Sequence, residues 1–159
     1  MKPNSYDKSD RPGADSIDPK VSARMTRIRG RDTRPEVALR KELRALRLGY
    51  RLHKRPIPSY RRTGDVLFPG AKVVVMVDGC FWHRCPEHYR PATQRAAFWD
   101  QKINENVERD RQTDRFLSER GWLVIRVWEH EVPSVAAQRI AEMVQMRRRR
   151  SRASEGHPA

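Results

Sequence analysis

The chain has 159 residues, 34 of them lysine or arginine against 20 aspartate or glutamate, for a formal net charge of +14. That length and a hydrophobic content of 37% fit one domain with a core of its own. So large a basic excess favours a polyanionic partner, nucleic acid first, through phosphate contacts and counterion release. No apolar run approaches the roughly 20 residues that span a bilayer and no lipidation motif is legible, so a membrane partner is not expected.

Met1 to about Asp18 is rich in Pro, Ser, Asp and Lys, and residues 1–18 are expected to be disordered, ahead of a single domain over 19–146. Asp18-Pro19 reads as a helix start, with a short basic helix running toward Arg29 and ended by Gly30. A second helix opens at Thr33-Arg34-Pro35-Glu36, carries Val37, Leu39, Leu43, Leu46 and Leu48 as apolar positions, and stops at Gly49. Thr33-x-x-Glu36 is a capping box, which by itself accounts for Glu36.

Tyr50 to His53 reads as a short strand. The basic, aromatic loop Lys54 to Arg62 follows, twice interrupted by proline. Asp65-Val66-Leu67-Phe68 and Lys72 to Val77 form a hairpin about Pro69-Gly70-Ala71, the second run apolar enough for a buried central strand. A long helix from about Thr93 to Arg120, a strand from Trp122 to Trp128 and a helix after Pro133 complete the domain. Arg147 to Arg150 and Arg152 belong to an expected basic disordered tail, 147–159. This order predicts an α/β (α+β) layer fold with a mixed sheet and function at its strand ends.

Both cysteines fall in Cys80-Phe81-Trp82-His83-Arg84-Cys85-Pro86-Glu87-His88. Two thiols and an imidazole at C-x4-C-x2-H spacing supply three of the four soft ligands of a closed tetrahedral zinc site. His130, at the end of the strand from Trp122, is the leading fourth. The alternative is a Cys80–Cys85 disulfide, disfavoured because no leader segment is legible and a cytosolic setting keeps thiols reduced. His83 lies between the ligand positions, either free for chemistry or a simple surface histidine. Phe81 and Trp82 place exposed aromatics on the same loop; ordinary core packing is the other reading.

Projected at 100° per residue, the long helix puts Asn106 and Asp110 within the stripe of Trp99, Ile103 and Leu117, so a carboxylate faces the core side and needs a partner. His83 would gain a fixed tautomer and basicity from it; a helix salt bridge with a neighbouring arginine is the other reading. Asp65 and Asp78 should meet at one end of the hairpin, where two carboxylates invite a hard cation such as Mg²⁺. The bland reading is that Asp65 caps a turn and Asp78-Gly79 forms one.

The ordered set Arg31-Asp32-Thr33 with Glu36, Gly64-Asp65, Asp78-Gly79-Cys80-Phe81-Trp82-His83, Asn106 to Arg111 and Gly121-Trp122 with Val127-Trp128-Glu129 resembles the very-short-patch-repair (Vsr) mismatch endonucleases, over roughly Val21 to Glu131. The resemblance implies a restriction-endonuclease-like core, a structural zinc, and Mg²⁺-dependent nicking of duplex DNA 5′ to the thymine of a T·G mismatch left by 5-methylcytosine deamination. It implies Asp65 as the central metal-binding acid with the Val77 carbonyl beside it, His83 as the catalytic histidine with Asp110 as partner, and Glu36 as an acid from the N-terminal helical region. Phe81 and Trp82 would insert into the base stack, with Met25 wedging from the other side. The best-known member has histidine where this chain has Asp78, so an acid there either takes part in catalysis or joins the metal site. The zinc set is then Cys80, Cys85, His88 and His130. A monomer in the bacterial cytoplasm, associated with the nucleoid, is expected. The alternatives are a related zinc-containing nuclease with another target and a non-catalytic zinc DNA-binding module. The loop Lys54 to Arg62 and the segment Tyr89-Arg90-Pro91 are further candidates for DNA contact.

Overall fold

The structure, a computed structural model, describes residues 30–155. The segment 1–18, the helix expected over 18–29 and Met25 lie outside the described residues. Helix α1 spans Arg34–Ala45, and four strands follow the expected order: β1 Arg51–Lys54, β2 Gly64–Phe68, β3 Val73–Asp78 and, after helix α2 (Ala96–Ser118), β4 Leu123–Trp128. Helix α3, Pro133–Glu155, closes the domain. The strands form one mixed sheet in the order β1-β2-β3-β4, with antiparallel β1/β2 and β2/β3 pairs and a parallel β3/β4 pair joined through α2.

Period-two alternation divides the sheet between two cores. Val66, Phe68, Val73, Val75, Ile125 and Val127 pack with Leu39 and Leu43 of α1 and with Ala136, Ile140 and Val144 of α3. Leu67 and Val74 pack on the other side with Leu117, Phe116 and Tyr60, on the α2 face. Asp65, Met76, Asp78 and Arg126 share parity with that second set. Polar chemistry therefore gathers under α2, at the end of β3.

Three local expectations change. Helix α1 ends at Ala45 and not at Gly49, because Arg47 takes the left-handed conformation (φ 55°) and turns the chain so that Leu48, but not Leu46, is buried. Val37, one of the helix's apolar positions, is 49% exposed. The tail expected to be disordered from Arg147 is helical through Glu155: its Ala, Met, Gln and Arg residues favour helix, and Arg147 donates to the carbonyls of Ala71 and Gly121, bracing α3 against two turns of the sheet layer. Among the described residues, no helix is long and apolar enough to cross a membrane.

Candidate functional site

Asp65 is the second residue of β2, and Gly64 before it is a steric requirement. A Cβ there would come within 2.2 Å of Val74 Cγ2 and 2.7 Å of a Leu67 methyl, so only glycine lets β2 sit close enough to β3 to place Asp65. The Val66–Val75 pairing sets Asp65 across from Met76, and its Oδ2 accepts the Val77 N–H at 2.7 Å. Burial pushes its carboxyl up to about 6; the Val77 hydrogen bond works against this, and the charges of Glu36 and Asp78 add to it. A half-buried carboxylate in this state gains most from a dication, which would hold it ionised. One preorganised acid beside the Val77 backbone, with nearby acids and open solvent, suits Mg²⁺, which keeps several waters and takes phosphate oxygens.

Glu36 is 4% exposed and reaches this neighbourhood from α1. Both its oxygens serve its own helix start, Oε2 accepting from Asp32 N–H at 3.0 Å and Oε1 from the Thr33 hydroxyl at 2.9 Å. This is a one-sided form of the expected capping box, since Thr33 caps no backbone N–H. Asp32, Glu36 and His53 bring ligand atoms within 4.8 Å of one another, but Asp32 is already bound by Arg40 at 2.7 Å.

His83 and Asp110 come together as the helix projection predicts. Asp110 Oδ2 lies 2.5 Å from His83 Nδ1, and neither Arg109 nor Arg111 forms a salt bridge with Asp110. The loop holds the imidazole from its backbone, His83 N–H donating to Gly79 O at 3.1 Å. Burial works against a charged imidazole, but the Asp110 hydrogen bond and the charges of Asp78 and Asp110 outweigh it and raise the His83 pKa. With Nδ1 committed to Asp110, Nε2 is the nitrogen left for a proton transfer.

Asp78 does not share its carboxylate with Asp65 in the way the hairpin alone suggests. Its side chain is 4% exposed and both oxygens accept from Arg126 Nη1, at 3.0 and 2.8 Å, with His83 Nδ1 3.8 Å away. Sequence alone does not mark Arg126 as a site residue. Its signal was a lone cation inside an apolar strand, which needs buried anions, and Asp110 and Asp114 one helical turn apart supply two of them.

On the other side of Gly79, Cys80 and Cys85 are free thiols and not a disulfide. The ligand atoms of Cys80, Cys85, His88 and His130 all lie within 4.8 Å of one another. His130 Nδ1 is 3.1 Å from Cys80 Sγ and 3.7 Å from Cys85 Sγ, and His88 Nδ1 is 3.9 Å from Cys85 Sγ. Ligands at ordinary zinc bond lengths on a tetrahedron stand about 3.5 Å apart, so donor chemistry and spacing both fit that ion. His130 turns its Nε2 toward Glu87 at 3.8 Å, and Cys80 N–H donates to Glu129 Oε1 at 2.7 Å, outer contacts that orient the donors.

Phe81 and Trp82 belong to neither core cluster. They join Trp99, at the start of α2, in mutual edge contacts: Phe81–Trp82 at 5.2 Å, Phe81–Trp99 at 5.9 Å and Trp82–Trp99 at 5.7 Å, with Tyr89 6.2 Å from Phe81. Trp99, read in the sequence only as a stripe residue, is thus a third member of this half-buried group. Asn106 donates to Trp82 O at 3.3 Å and ties the group to the helix that carries Asp110.

A sequence model of the family described as DNA mismatch endonuclease Vsr matches residues 14–88. The chain is 44% identical over 114 residues to the type II nicking enzyme V.NaeI of Lentzea aerocolonigenes, covering 69% of this chain and 68% of that protein. It is 36% identical over 115 residues to the type II nicking enzyme V.XorIIP of Xanthomonas oryzae pv. oryzae, covering 71% and 82%. Over 110 residues it is 38% identical to the DNA mismatch endonuclease Vsr of Escherichia coli, covering 68% of each. Together with the pairing of Asp110 with His83 of the Gly-Cys-Phe-Trp-His loop, these matches carry the conclusion that the chain belongs to the Vsr DNA mismatch endonuclease family.

Proposed function

We propose that this endonuclease nicks duplex DNA on the 5′ side of the thymine in a T·G mismatch, with Mg²⁺ at Asp65 and structural zinc on Cys80, Cys85, His88 and His130. The observation that carries the reading is the 2.5 Å His83–Asp110 contact, linked to the half-buried Asp65 through Asp78, which stands 3.8 Å from His83 and whose charge acts on Asp65. When bound, Mg²⁺ neutralises the scissile phosphate and its leaving oxygen. Asp65 and the Val77 carbonyl would hold that ion. Asp110 fixes the His83 ring, and Nε2 moves a proton at the scissile phosphate. Glu36 adds negative charge to the metal side, and Asp78 braces the histidine from below. A general acid or base of this kind contributes about 10²- to 10⁴-fold.

Selectivity follows from the aromatic group. Unstacking costs a few kcal/mol and is least costly at a mismatch, so insertion of Phe81 and Trp82, backed by Trp99, converts weak pairing into preference. The net charge of +14 supplies affinity independent of sequence. The protein acts as a monomer in the bacterial cytoplasm, at the nucleoid.

A second reading, a related zinc-containing nuclease with another target, is favoured by the relatives named type II nicking enzymes. Duplexes identical except for T·G, G·C or A·T at one position, incubated with Mg²⁺ and scored for a single-strand nick, separate the two. A nick confined to the T·G duplex supports the proposal. Cutting of all three favours the second reading.

A further inference from the structure

Strand β4 carries one charge in its apolar run. Arg126 pairs in register with Met76 of β3, on the face that α2 covers, and every side of its guanidinium is used. Nε and Nη2 donate to the two oxygens of Asp114 at 2.9 and 2.8 Å; Nη1 donates to both oxygens of Asp78 at 3.0 and 2.8 Å. Nη2 also reaches the Asp110 carbonyl oxygen at 3.5 Å and lies 3.4 Å from Asp110 Oδ1. A planar fork of fixed shape therefore ties two successive turns of α2 to the end of β3, which an ammonium cannot do.

Two of its three acids face the same imidazole nitrogen. Asp110 Oδ2 holds His83 Nδ1 at 2.5 Å, and Asp78 Oδ1 stands 3.8 Å from it. Without the arginine, Asp78 would be a buried carboxylate with no cation, drawn toward that nitrogen or toward any cation beside Asp65, and Asp110 would lose the contact that fixes it from behind. Asp78, His83 and Asp110 have ligand atoms close enough for a metal, yet a guanidinium already fills that role.

We propose that Arg126 is a positioning residue of the nicking reaction: by clamping Asp78 and Asp114 it sets Asp110 behind His83, so that Nε2 meets the scissile phosphate, and it withholds Asp78 from the metal. This rests on the reading of His83 and Asp110 given above.

Single-turnover nicking of a T·G duplex at saturating protein in Mg²⁺, with duplex Kd and melting temperature measured alongside, tests it in Arg126→Met, Arg126→Lys, Asp114→Asn and a His83→Ala control. Arg126→Met should lower the nicking rate about 10- to 100-fold with Kd changed less than about threefold, and Arg126→Lys should recover part of the rate. Should Arg126→Met fail to fold, Asp114→Asn decides: its carboxylate bonds go to Arg126 and its side chain is 37% exposed, so it should fold and lose about three- to tenfold in rate at unchanged Kd. A wild-type rate in folded Asp114→Asn and Arg126→Lys, or a loss confined to Kd or melting temperature, would overturn the proposal. A wild-type rate in His83→Ala would instead overturn the reading beneath it.

Discussion

Gly79 separates two groupings of quite different character. C-terminal to it, four donors from one loop and the end of β4, two of them buried thiols, lie within 4.8 Å of one another, enough to fill a tetrahedral ion's shell by themselves. N-terminal to it, oxygen donors are spread over α1, β2 and β3, one carboxylate is held by a backbone N–H, and the rest of any cation's shell must come from water or phosphate. His83 belongs to the first grouping by sequence and to the second by contact. On the proposed reading, a closed zinc site would fix the loop, and an open cation site a few residues away would use what the loop presents.

That contrast can be broken from either side. The largest effect should come from the closed site: Cys85→Ser, or stripping with a strong chelator, removes a folding contribution of several kcal/mol, on the order of what structural zinc supplies, and costs DNA binding and nicking together. Circular dichroism and duplex binding before and after zinc return measure it; a stripped protein that melts unchanged would mean the four donors hold nothing. Next is His83→Ala, which keeps the loop's turns but should slow nicking about 10²- to 10⁴-fold at unchanged mismatch affinity, read in single-turnover assays.

Smaller again is the aromatic group. Trp82→Ala or Trp99→Ala should reduce the preference for mismatched over matched duplex about tenfold, as one stacking contact of about 1–3 kcal/mol is worth, with matched-duplex affinity little changed. The smallest effect is in pH dependence. Because the His83 pKa is raised in the folded state, the stability it lends is fully present below about 6.5, its unfolded value, and is lost as pH rises through the folded value. The zinc-loaded protein should therefore melt lower at pH 8 than at pH 6, and Asp110→Asn should shrink that difference.

The sequence made the helices and strands legible because their signals are local: Thr33-Arg34-Pro35 opens α1, and apolar β-branched runs mark β2 and β3. It also exposed the partnership of His83 and Asp110, since one spacing put an acid on the buried stripe of α2. Arg126 escaped because its meaning depends on three acids that meet it only through parallel pairing and the α2 crossover. Asp78 was half legible for the same reason: the hairpin gives its place, but β4 gives its partner. Arg147 shows the converse error, in which composition read as a solvated charge run hid two backbone carbonyls that hold the helix in place.

The most direct measurement is Asp65→Asn, assayed at once for nicking with Mg²⁺, for mismatch-duplex affinity and for melting without Mg²⁺. A carboxyl raised to about 6 from 3.8 lowers stability as pH climbs through that window, so at pH 7 the ionised group costs the metal-free fold up to about 3 kcal/mol. The account predicts a protein that melts higher without metal, binds the T·G duplex within about threefold of wild type and nicks at least about a thousandfold more slowly. Nicking at the wild-type rate, or equal loss of binding and nicking, would contradict it.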